Sequence, residues 1–162
     1  MKLSDNPYAY AILGCAMRVH ATLGCGFLES AYGDALEIEL NKANIPYKRE
    51  DEIKVYYGGI PLKTTYRSDF TCFHRQYIVE LKAVKNLTNI ERAQVRHYLK
   101  ATGIRYALLI NFATLKLQYD TFDTKTFREK SGLSNVTPSP RPILSRSVSG
   151  ALEKSEFEIR EQ

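Results

Sequence analysis

The chain has no tryptophan and only 3 cysteines among its 162 residues. The cysteines are odd in number and form no CxxC pair, which argues against a disulfide framework and against a zinc site. No apolar run approaches the roughly 20 residues of a membrane-spanning helix, and the N-terminus lacks the apolar core of a signal peptide. The expected location is therefore the cytoplasm, with no membrane partner.

Motifs for nucleotide-driven chemistry are missing as well. The sequence contains neither a GxxxxGKS/T phosphate loop nor a GxGxxG dinucleotide turn. Its histidines, His20, His74 and His97, have no metal-ligand spacing. The formal charge of +5 is compatible with a polyanionic partner, but it supports one only weakly because the basic residues are spread along the chain.

Periodicity predicts two helices at the N-terminus. Asp5-Asn6-Pro7 offers an N-cap side chain followed by proline in the first turn, and Gly24-Cys25-Gly26 breaks the helix that follows. A second helix is expected over residues 27 to 43. Its predicted apolar stripe consists of Leu28, Tyr32, Ala35, Leu36 and Leu40.

Strands are expected after the second helix. The apolar period changes from about 3.6 residues to two, up to a turn at Gly58-Gly59. Residues 66 to 73 and 76 to 83 then predict an antiparallel hairpin around a short polar turn. The alternating apolar positions before the first turn are Ile53, Val55 and Tyr57.

A third helix is predicted after the capping box Thr88-x-x-Glu91, ending near Gly103. Residues 106 to 112 are almost continuously apolar, which favours a central strand buried on both faces, and residues 116 to 122 favour an edge strand. The predicted core face of the third helix consists of Ile90, Ala93, Gln94 and Tyr98.

The resulting order, α-α-β-β-β-α-β-β, predicts one α/β domain with a mixed sheet flanked by helices. The domain is expected to span residues 1 to 126. Residues 127 to 162 are rich in Ser and Pro and have no sustained apolar period. We expect them to form a flexible tail, because such a segment buries too little surface to offset its ordering entropy.

Charged residues interrupt a strand that is otherwise apolar. Residues 78 to 82 are IVELK, and Glu80 and Lys82 share a face because they lie two apart. Asp69 is on the preceding strand, and the hairpin should bring it across from Glu80. Two carboxylates this close repel each other unless a cation lies between them, and Mg²⁺, with Mn²⁺ as a substitute, prefers such oxygen ligands.

Two interpretations of this pattern compete. The ion would hold a scissile phosphate for an in-line displacement, while Lys82 orients or deprotonates the attacking water or neutralises the phosphorane. Alternatively, the three residues lie on a solvated sheet face, where a cross-strand ion pair contributes less than about 1 kcal/mol. The D-x10-E-x-K spacing by itself favours the solvated face, because short motifs often match by chance.

Further motifs follow in a fixed order around these residues. The motifs are GFLESAY at 26 to 32, Asp69 in YRSDF, Glu80 and Lys82 in IVELKAV, Gln94 and Tyr98 in ERAQVRHYL, and LLINF at 108 to 112. With these motifs the sequence resembles the GxxExxY family of the PD-(D/E)XK nuclease superfamily over residues 6 to 122. It departs from the superfamily pattern at Ser68, which precedes Asp69 in place of the proline of a literal Pro-Asp pair.

The resemblance implies a restriction-endonuclease-like core and a Mg²⁺-dependent nuclease that hydrolyses phosphodiester bonds. It implies metal ligation by Asp69 and Glu80, a catalytic role for Lys82, an acidic residue beside the metal at Glu29, and support from Gln94. The expected partner is nucleic acid, with DNA placed before RNA, and a homodimer would present two sites to a duplex. The alternative is a catalytically silent module that binds nucleic acid or protein on the same fold.

Two of these positions also have plain structural interpretations. Glu29 shares a helix face with Tyr32, where a carboxylate needs a partner, but it is also suited to the first turn after a Gly26 N-cap. Tyr98 lies four residues after Gln94 and faces the same way, either beside the site or within the core.

Arg67 is a further candidate for substrate binding. It lies two residues before Asp69 and should share its face, which would let its guanidinium contact a phosphate. An exposed arginine on a strand is, however, ordinary in a protein without any such role.

Overall fold

The computed structural model describes residues 6–125. Within them the helices and strands follow the predicted order, α-α-β-β-β-α-β-β. The predicted domain boundary at residue 126 and the predicted tail lie outside the described residues. The elements are α1 (Pro7–Leu23), α2 (Glu29–Lys42), β1 (Tyr47–Tyr57), β2 (Ile60–Cys72), β3 (Tyr77–Lys82), α3 (Asn89–Thr102), β4 (Tyr106–Asn111) and β5 (Gln118–Asp123).

The strands form one five-stranded sheet in the order β1-β2-β3-β4-β5. Neighbouring strands are antiparallel except for β3 and β4, which are parallel. The α3 helix makes the crossover between those two strands, because a parallel pair cannot be joined by a tight turn. The predicted mixed sheet with flanking helices is confirmed.

Helices cover both faces of this sheet. The α1 and α2 helices pack on one face, against β3 side chains that include Val79 and Leu81, and α3 packs on the other face, against Ile78. Because successive strand side chains alternate between faces, the middle strands are buried on both sides. Residues 107–112 are all buried, so the predicted doubly covered strand is confirmed.

The α1 helix begins as the sequence predicts. Pro7 occupies the first turn, and the Asn6 side chain accepts a hydrogen bond of 3.1 Å from the backbone N–H of Ala9. At 17 residues it is the longest described helix. No helix of residues 6–125 is long and apolar enough to cross a membrane.

The α2 helix begins later than predicted. Its N-cap is Leu28, so the proposed Gly26 N-cap is wrong, and the Leu28 side chain is exposed instead of belonging to the apolar stripe. The backbone before α2 is held in another way, because the Phe27 N–H donates to the Tyr32 hydroxyl at 3.2 Å. The first helical residue is therefore Glu29.

The α3 helix has the predicted ends but a different buried face. The capping box of Thr88 and Glu91 is present, and Gly103 adopts the left-handed conformation at the C-cap. Ile90, predicted to be in the core, is exposed. It lies nine residues before the buried Leu99, which places it about 180° around the helix from that side chain. The side chains buried from α3 are Val95, Tyr98 and Leu99.

The β1–β2 hairpin extends further than the predicted strands. The β2 strand begins at Ile60, yet its pairing with β3 runs only from Phe70 to Cys72. Within the described part of the chain, the first half of β2 therefore pairs with β1 alone. For this reason Tyr57, which continues the predicted apolar alternation, is exposed, whereas Ile53 is buried.

The capping box allows a test of the fold. Thr88→Ala removes the hydroxyl that accepts the Ile90 N–H at 3.1 Å, and loss of an N-cap costs about 1 kcal/mol of unfolding free energy. Urea denaturation measures this change. Thr22→Ala is the control, because the Thr22 hydroxyl only donates to a carbonyl of its own helix on the exposed side of α1. Equal losses in the two variants would contradict the assignment of the cap.

Candidate active site

The candidate site lies where β2 and β3 separate. Their ladder ends at the pair Phe70 and Val79, which places Asp69 opposite Glu80, as the hairpin predicted. One step further the Asp69 carboxylate accepts the backbone N–H of Leu81, at 2.6 Å. A side chain thus takes the place of a strand carbonyl, and the two strands diverge around it.

A local irregularity directs Asp69 into this gap. Successive side chains of a strand normally point to opposite faces, but Asp69 and Phe70 line the same cavity. On β1, Arg49 pairs with Phe70 and lines that cavity, and so does Glu50, which the ladder skips between the pairs Arg49–Phe70 and Asp51–Ser68. Glu50 has a φ of 49°, in the left-handed region, so β1 is irregular next to Asp69.

Glu80 is almost fully buried, with 3% of its side chain exposed. One carboxylate oxygen accepts a hydrogen bond of 2.8 Å from the Lys82 ammonium, and the other, Oε2, has no hydrogen-bond partner among the described residues. Burial, together with the negative charge of Asp69, raises the pKa of Glu80 to about 7. A buried, unsatisfied carboxylate oxygen is costly unless a proton or a cation satisfies it.

Lys82 lies on the same face as Glu80 and is mostly buried. Burial acts to lower the pKa of Lys82, but the charges of Glu80, Glu29 and Asp69 outweigh it, so that the pKa is raised. These carboxylates therefore hold Lys82 as an ammonium. Such a group can neutralise negative charge, whereas acting as a base would first require it to lose its proton.

Glu29 reaches the same place from another element. As the first residue of α2 it lies at the positive end of the helix dipole. Burial raises the pKa of Glu29, Lys82 lowers it and Asp69 raises it further, so these groups are within electrostatic range of one another. The same holds for Asp69, whose pKa is raised by burial in spite of the Leu81 N–H and Lys82. Three carboxylates and one ammonium thus converge on the separation of β2 and β3.

Glu29 and Asp69 open into a cavity of about 190 Å³ between α2 and the β1–β2 pair. No three His, Cys, Asp or Glu side chains of the described chain already surround one point as metal ligands. The donor set nonetheless fits a hard cation: it consists of carboxylate oxygens, one of them, Glu80 Oε2, is buried without a partner, and the pKa of each carboxyl is raised.

Tyr98, on α3, is within electrostatic range of Glu80, and Gln94 contacts Tyr98. The Gln94 amide donates to the Tyr98 hydroxyl at 2.7 Å. Burial raises the pKa of Tyr98, the Gln94 hydrogen bond lowers it, and the charge of Glu80 raises it, so the phenol is within range of the carboxylates. Tyr98 is therefore both a core residue and a neighbour of the site.

Arg67 is not drawn into the carboxylate cluster. Its guanidinium is exposed and lies 3.7 Å from the carboxylate of Glu50, which lines the cavity. An ion pair this exposed contributes little to stability, so the Arg67 side chain can readily turn toward another anion.

Arg49 lines the cavity but was not a candidate from the sequence. Its guanidinium donates to Glu37 and Asp34 on α2, at 2.6 Å each, and lies 5.8 Å from the centre of the Phe70 ring. A Cβ atom added at Gly33 would come within 3.3 Å of this guanidinium. The alternating pattern of a strand does not predict such contacts of a charged residue, because they depend on how α2 packs against the sheet.

Tyr32, from the motif GFLESAY, fixes the segment of chain that precedes Glu29. Its buried ring stacks on Phe112 at 4.5 Å between centroids, and its hydroxyl donates to the Gly24 carbonyl at 2.8 Å and accepts from Phe27. These bonds tie residues 24–28 to the helix that they precede. The tyrosine of the motif thus determines where its glutamate begins α2.

Family comparison agrees with this geometry. The family model of the PD-(D/E)XK nuclease superfamily matches residues 6–122. The chain therefore belongs to the PD-(D/E)XK nuclease superfamily. Its sheet and flanking helices form the restriction-endonuclease-like fold that the sequence predicted.

Other comparisons add little. No curated protein matches this sequence. Among solved structures, SSO0001 is similar with a TM-score of 0.40 and 19% identity, over 65% of this chain and 61% of that one. This likeness is too distant to support any conclusion about the site.

The Tyr32 hydroxyl can be tested by its removal. Tyr32→Phe keeps the stacked ring but leaves the Gly24 carbonyl and the Phe27 N–H without their partner. We expect a loss of about 1–3 kcal/mol in unfolding free energy, measured by urea denaturation. Tyr47→Phe is the matched control, because the Tyr47 hydroxyl bonds Glu37 and Asn41 near the surface. An equal loss in both variants would argue against a special role for Tyr32.

The raised pKa of Glu80 predicts a pH dependence in protein kept free of divalent ions. Because the folded pKa, about 7, lies above the ordinary value of 4.5, Glu80 destabilises the fold increasingly as pH rises through this range. Each pKa unit is worth about 1.4 kcal/mol, so the total is on the order of a few kcal/mol. Unfolding free energies of wild type and of Glu80→Gln, measured at pH values from 4.5 to about 7, isolate the contribution of Glu80 to the pH dependence.

The variant Glu80→Gln should lose less stability than wild type as the pH rises. Glu52→Gln is the control, because Glu52 is an exposed residue of β1 and should leave the pH profile as in wild type. A Glu80→Gln profile parallel to that of wild type would show that Glu80 is not the titrating group.

Proposed function

We propose that this chain is a metal-dependent nuclease that hydrolyses phosphodiester bonds, with DNA as its substrate. The observation that carries the proposal is the convergence of Glu29, Asp69 and Glu80 on Lys82 where β2 and β3 separate, with one Glu80 oxygen buried and unsatisfied. In a protein of this superfamily, such a set is the expected apparatus for phosphodiester hydrolysis.

Asp69 and Glu80 would hold the metal, with Glu29 as an auxiliary ligand. All three are carboxylates, which favours Mg²⁺, and Mn²⁺ should substitute for it. When bound, the ion would supply Lewis-acid polarisation of the phosphate and a more acidic water. It would also offset the burial that raises the pKa of each carboxyl and, for Glu80 and Glu29, the added repulsion from Asp69.

The surrounding residues have distinct tasks in this proposal. The Leu81 N–H fixes one Asp69 oxygen and thereby the direction of its carboxylate. Lys82, held as an ammonium, stabilises the negative charge that develops on the phosphorus-bound oxygens and orients the attacking water. The Gln94–Tyr98 pair borders Glu80 and Lys82, where the amide can exchange its tyrosine partner for a phosphate oxygen.

Substrate contacts are proposed at the margin of the cavity. Among residues 6–125, Arg67 has the distant, exposed Glu50 as its ion-pair partner and can turn to a phosphate. A homodimer that presents two such sites to a duplex remains a prediction, and sedimentation velocity at several protein concentrations would test it.

A second candidate is a silent module that binds nucleic acid or protein on the same fold. The observation in its favour is the direct contact of Lys82 with Glu80, at 2.8 Å, which satisfies one carboxylate oxygen without any metal. Binding of Mn²⁺ distinguishes the two candidates, because a working site should bind the ion and lose it in Asp69→Asn. A protein that binds no Mn²⁺ would favour the silent module.

Cleavage assays test the nuclease itself. Purified protein should cleave DNA in the presence of Mg²⁺ or Mn²⁺ and not in EDTA, and Lys82→Ala should lower the rate by at least about 100-fold, because it removes a charge aimed at the transition state. Lys85→Ala is the control, since it removes an exposed lysine three residues further on and should leave the rate near that of wild type. Undiminished cleavage by Lys82→Ala would refute the assignment.

A further inference from the structure

A two-stranded arm projects from the sheet next to the candidate site. We define the β1–β2 arm as residues 53–67, in which β1 and β2 pair with each other and, in the described structure, with no third strand. Its tip is a tight turn at Gly58 and Gly59, with φ values of 57° and 83°. At about 3.3 Å per residue, the tip lies about 15 Å from the root. The root continues directly into Asp69.

One face of the arm is apolar and exposed. Tyr57 pairs with Ile60 across the ladder, so these two side chains share a face, and Leu62 follows two residues after Ile60, where the register of the two strands shifts. Tyr57 and Ile60 are 80% and 70% exposed. Exposure of large apolar side chains on a projecting ribbon marks an interaction surface.

This apolar face leads to the candidate site. Tyr66 lies on it as well, because it pairs with Ile53, which is four residues before Tyr57 on β1 and therefore on the same face. The Tyr66 ring is 6.1 Å from that of Tyr98, which borders Glu80. A ligand on the apolar face would therefore be continuous with the carboxylates and Lys82.

The opposite face of the arm is basic. Lys54 pairs with Thr65 and Arg67 pairs with Glu52, which puts both basic side chains on this face, and the exposed Lys63 lies in the stretch where the register shifts. Residues 53 to 67 contain no Asp or Glu, so every charge of the arm is positive. The chain as a whole is only modestly basic, which makes this segment a local concentration of charge of one sign.

We propose that the β1–β2 arm lies in a groove of duplex DNA, with its apolar tip against the bases and its lysines against the flanking phosphates. The proposal rests on the proposed nuclease function, since an arm held in a groove would bring the backbone of the duplex to Asp69 at its root. The major groove of B-DNA admits a two-stranded β-ribbon, so the arm can lie between the two phosphate backbones with its side chains against the base edges.

The charge of the arm decides between DNA and a second copy of the chain. A second arm packed on the apolar face would cover Tyr57 and Ile60 but leave Lys54, on the opposite face, without an anion, whereas a duplex that holds the ribbon in a groove contacts both faces. A polyanion also gains from the release of counterions. The arm is therefore assigned to DNA, and self-association becomes an outcome of the test.

Binding of a short fluorescein-labelled DNA duplex in EDTA, followed by fluorescence anisotropy over a range of KCl concentrations, tests the arm without cleavage. Lys54→Ala/Lys63→Ala should weaken binding by about tenfold and reduce the slope of log Kd against log salt by about 2. Ile60→Ser/Leu62→Ser should weaken binding several-fold with an unchanged slope. All four side chains are exposed, so the fold should survive, and thermal unfolding verifies this.

Lys100→Ala/Lys125→Ala is the matched control. It removes the same charge from exposed positions near the start of β4, at the end of the sheet away from Lys82, and should leave the salt slope as in wild type. An equal effect of both lysine pairs, or none of either, would overturn the arm proposal.

Other outcomes also contradict the arm proposal without touching the nuclease. If the arm variants weaken binding only to the single strand of the same sequence, the ligand of the arm is the single strand and not the duplex. An apolar variant that dissolves a dimer in sedimentation velocity and binds the duplex normally would make the face a self-association surface. In each case Mg²⁺-dependent cleavage that is lost in Lys82→Ala would still support the nuclease.

Discussion

The hydrogen bond from the Leu81 N–H to the Asp69 carboxylate is the contact on which the candidate site depends. It occurs where two antiparallel strands would otherwise continue to pair, and it uses a side chain in place of a backbone carbonyl. The fold thereby satisfies a backbone donor while opening a gap between the strands. Carboxylates from three elements reach this gap, which a continuous sheet would have closed.

The same gap places charges where they are poorly solvated. Glu80 has one oxygen without a partner, and burial together with neighbouring charges raises the pKa of each carboxyl. Lys82 offsets part of this cost and is itself stabilised as an ammonium. Burying these charged groups lowers the stability of the fold, and a cation and a phosphate bound at the site would offset this loss. Apolar cores on both faces of the sheet supply the stability that the site lacks.

Much of the fold was predictable because it follows from local patterns. Caps at Asn6 and Thr88, the apolar run of β4 and the charged positions of β3 each have a direct physical meaning within a few residues. The errors arose where neighbours in space override the pattern. Leu28 is the exposed N-cap of α2, and Ile90 lies about 180° around α3 from the buried Leu99. The apolar spacing alone does not reveal at which residue a helix begins or which of its faces packs on the sheet.

The sequence by itself determined the order of elements, the face shared by Glu80 and Lys82, and the superfamily motif, because each depends on spacing along the chain. Only the tertiary structure decided that Asp69 turns into the gap beside a left-handed Glu50, that Arg49 is held by α2, and that Tyr32 ties down the approach to Glu29. These features depend on contacts between residues far apart in the chain. Their energies come from packing and hydrogen bonds that no local pattern encodes.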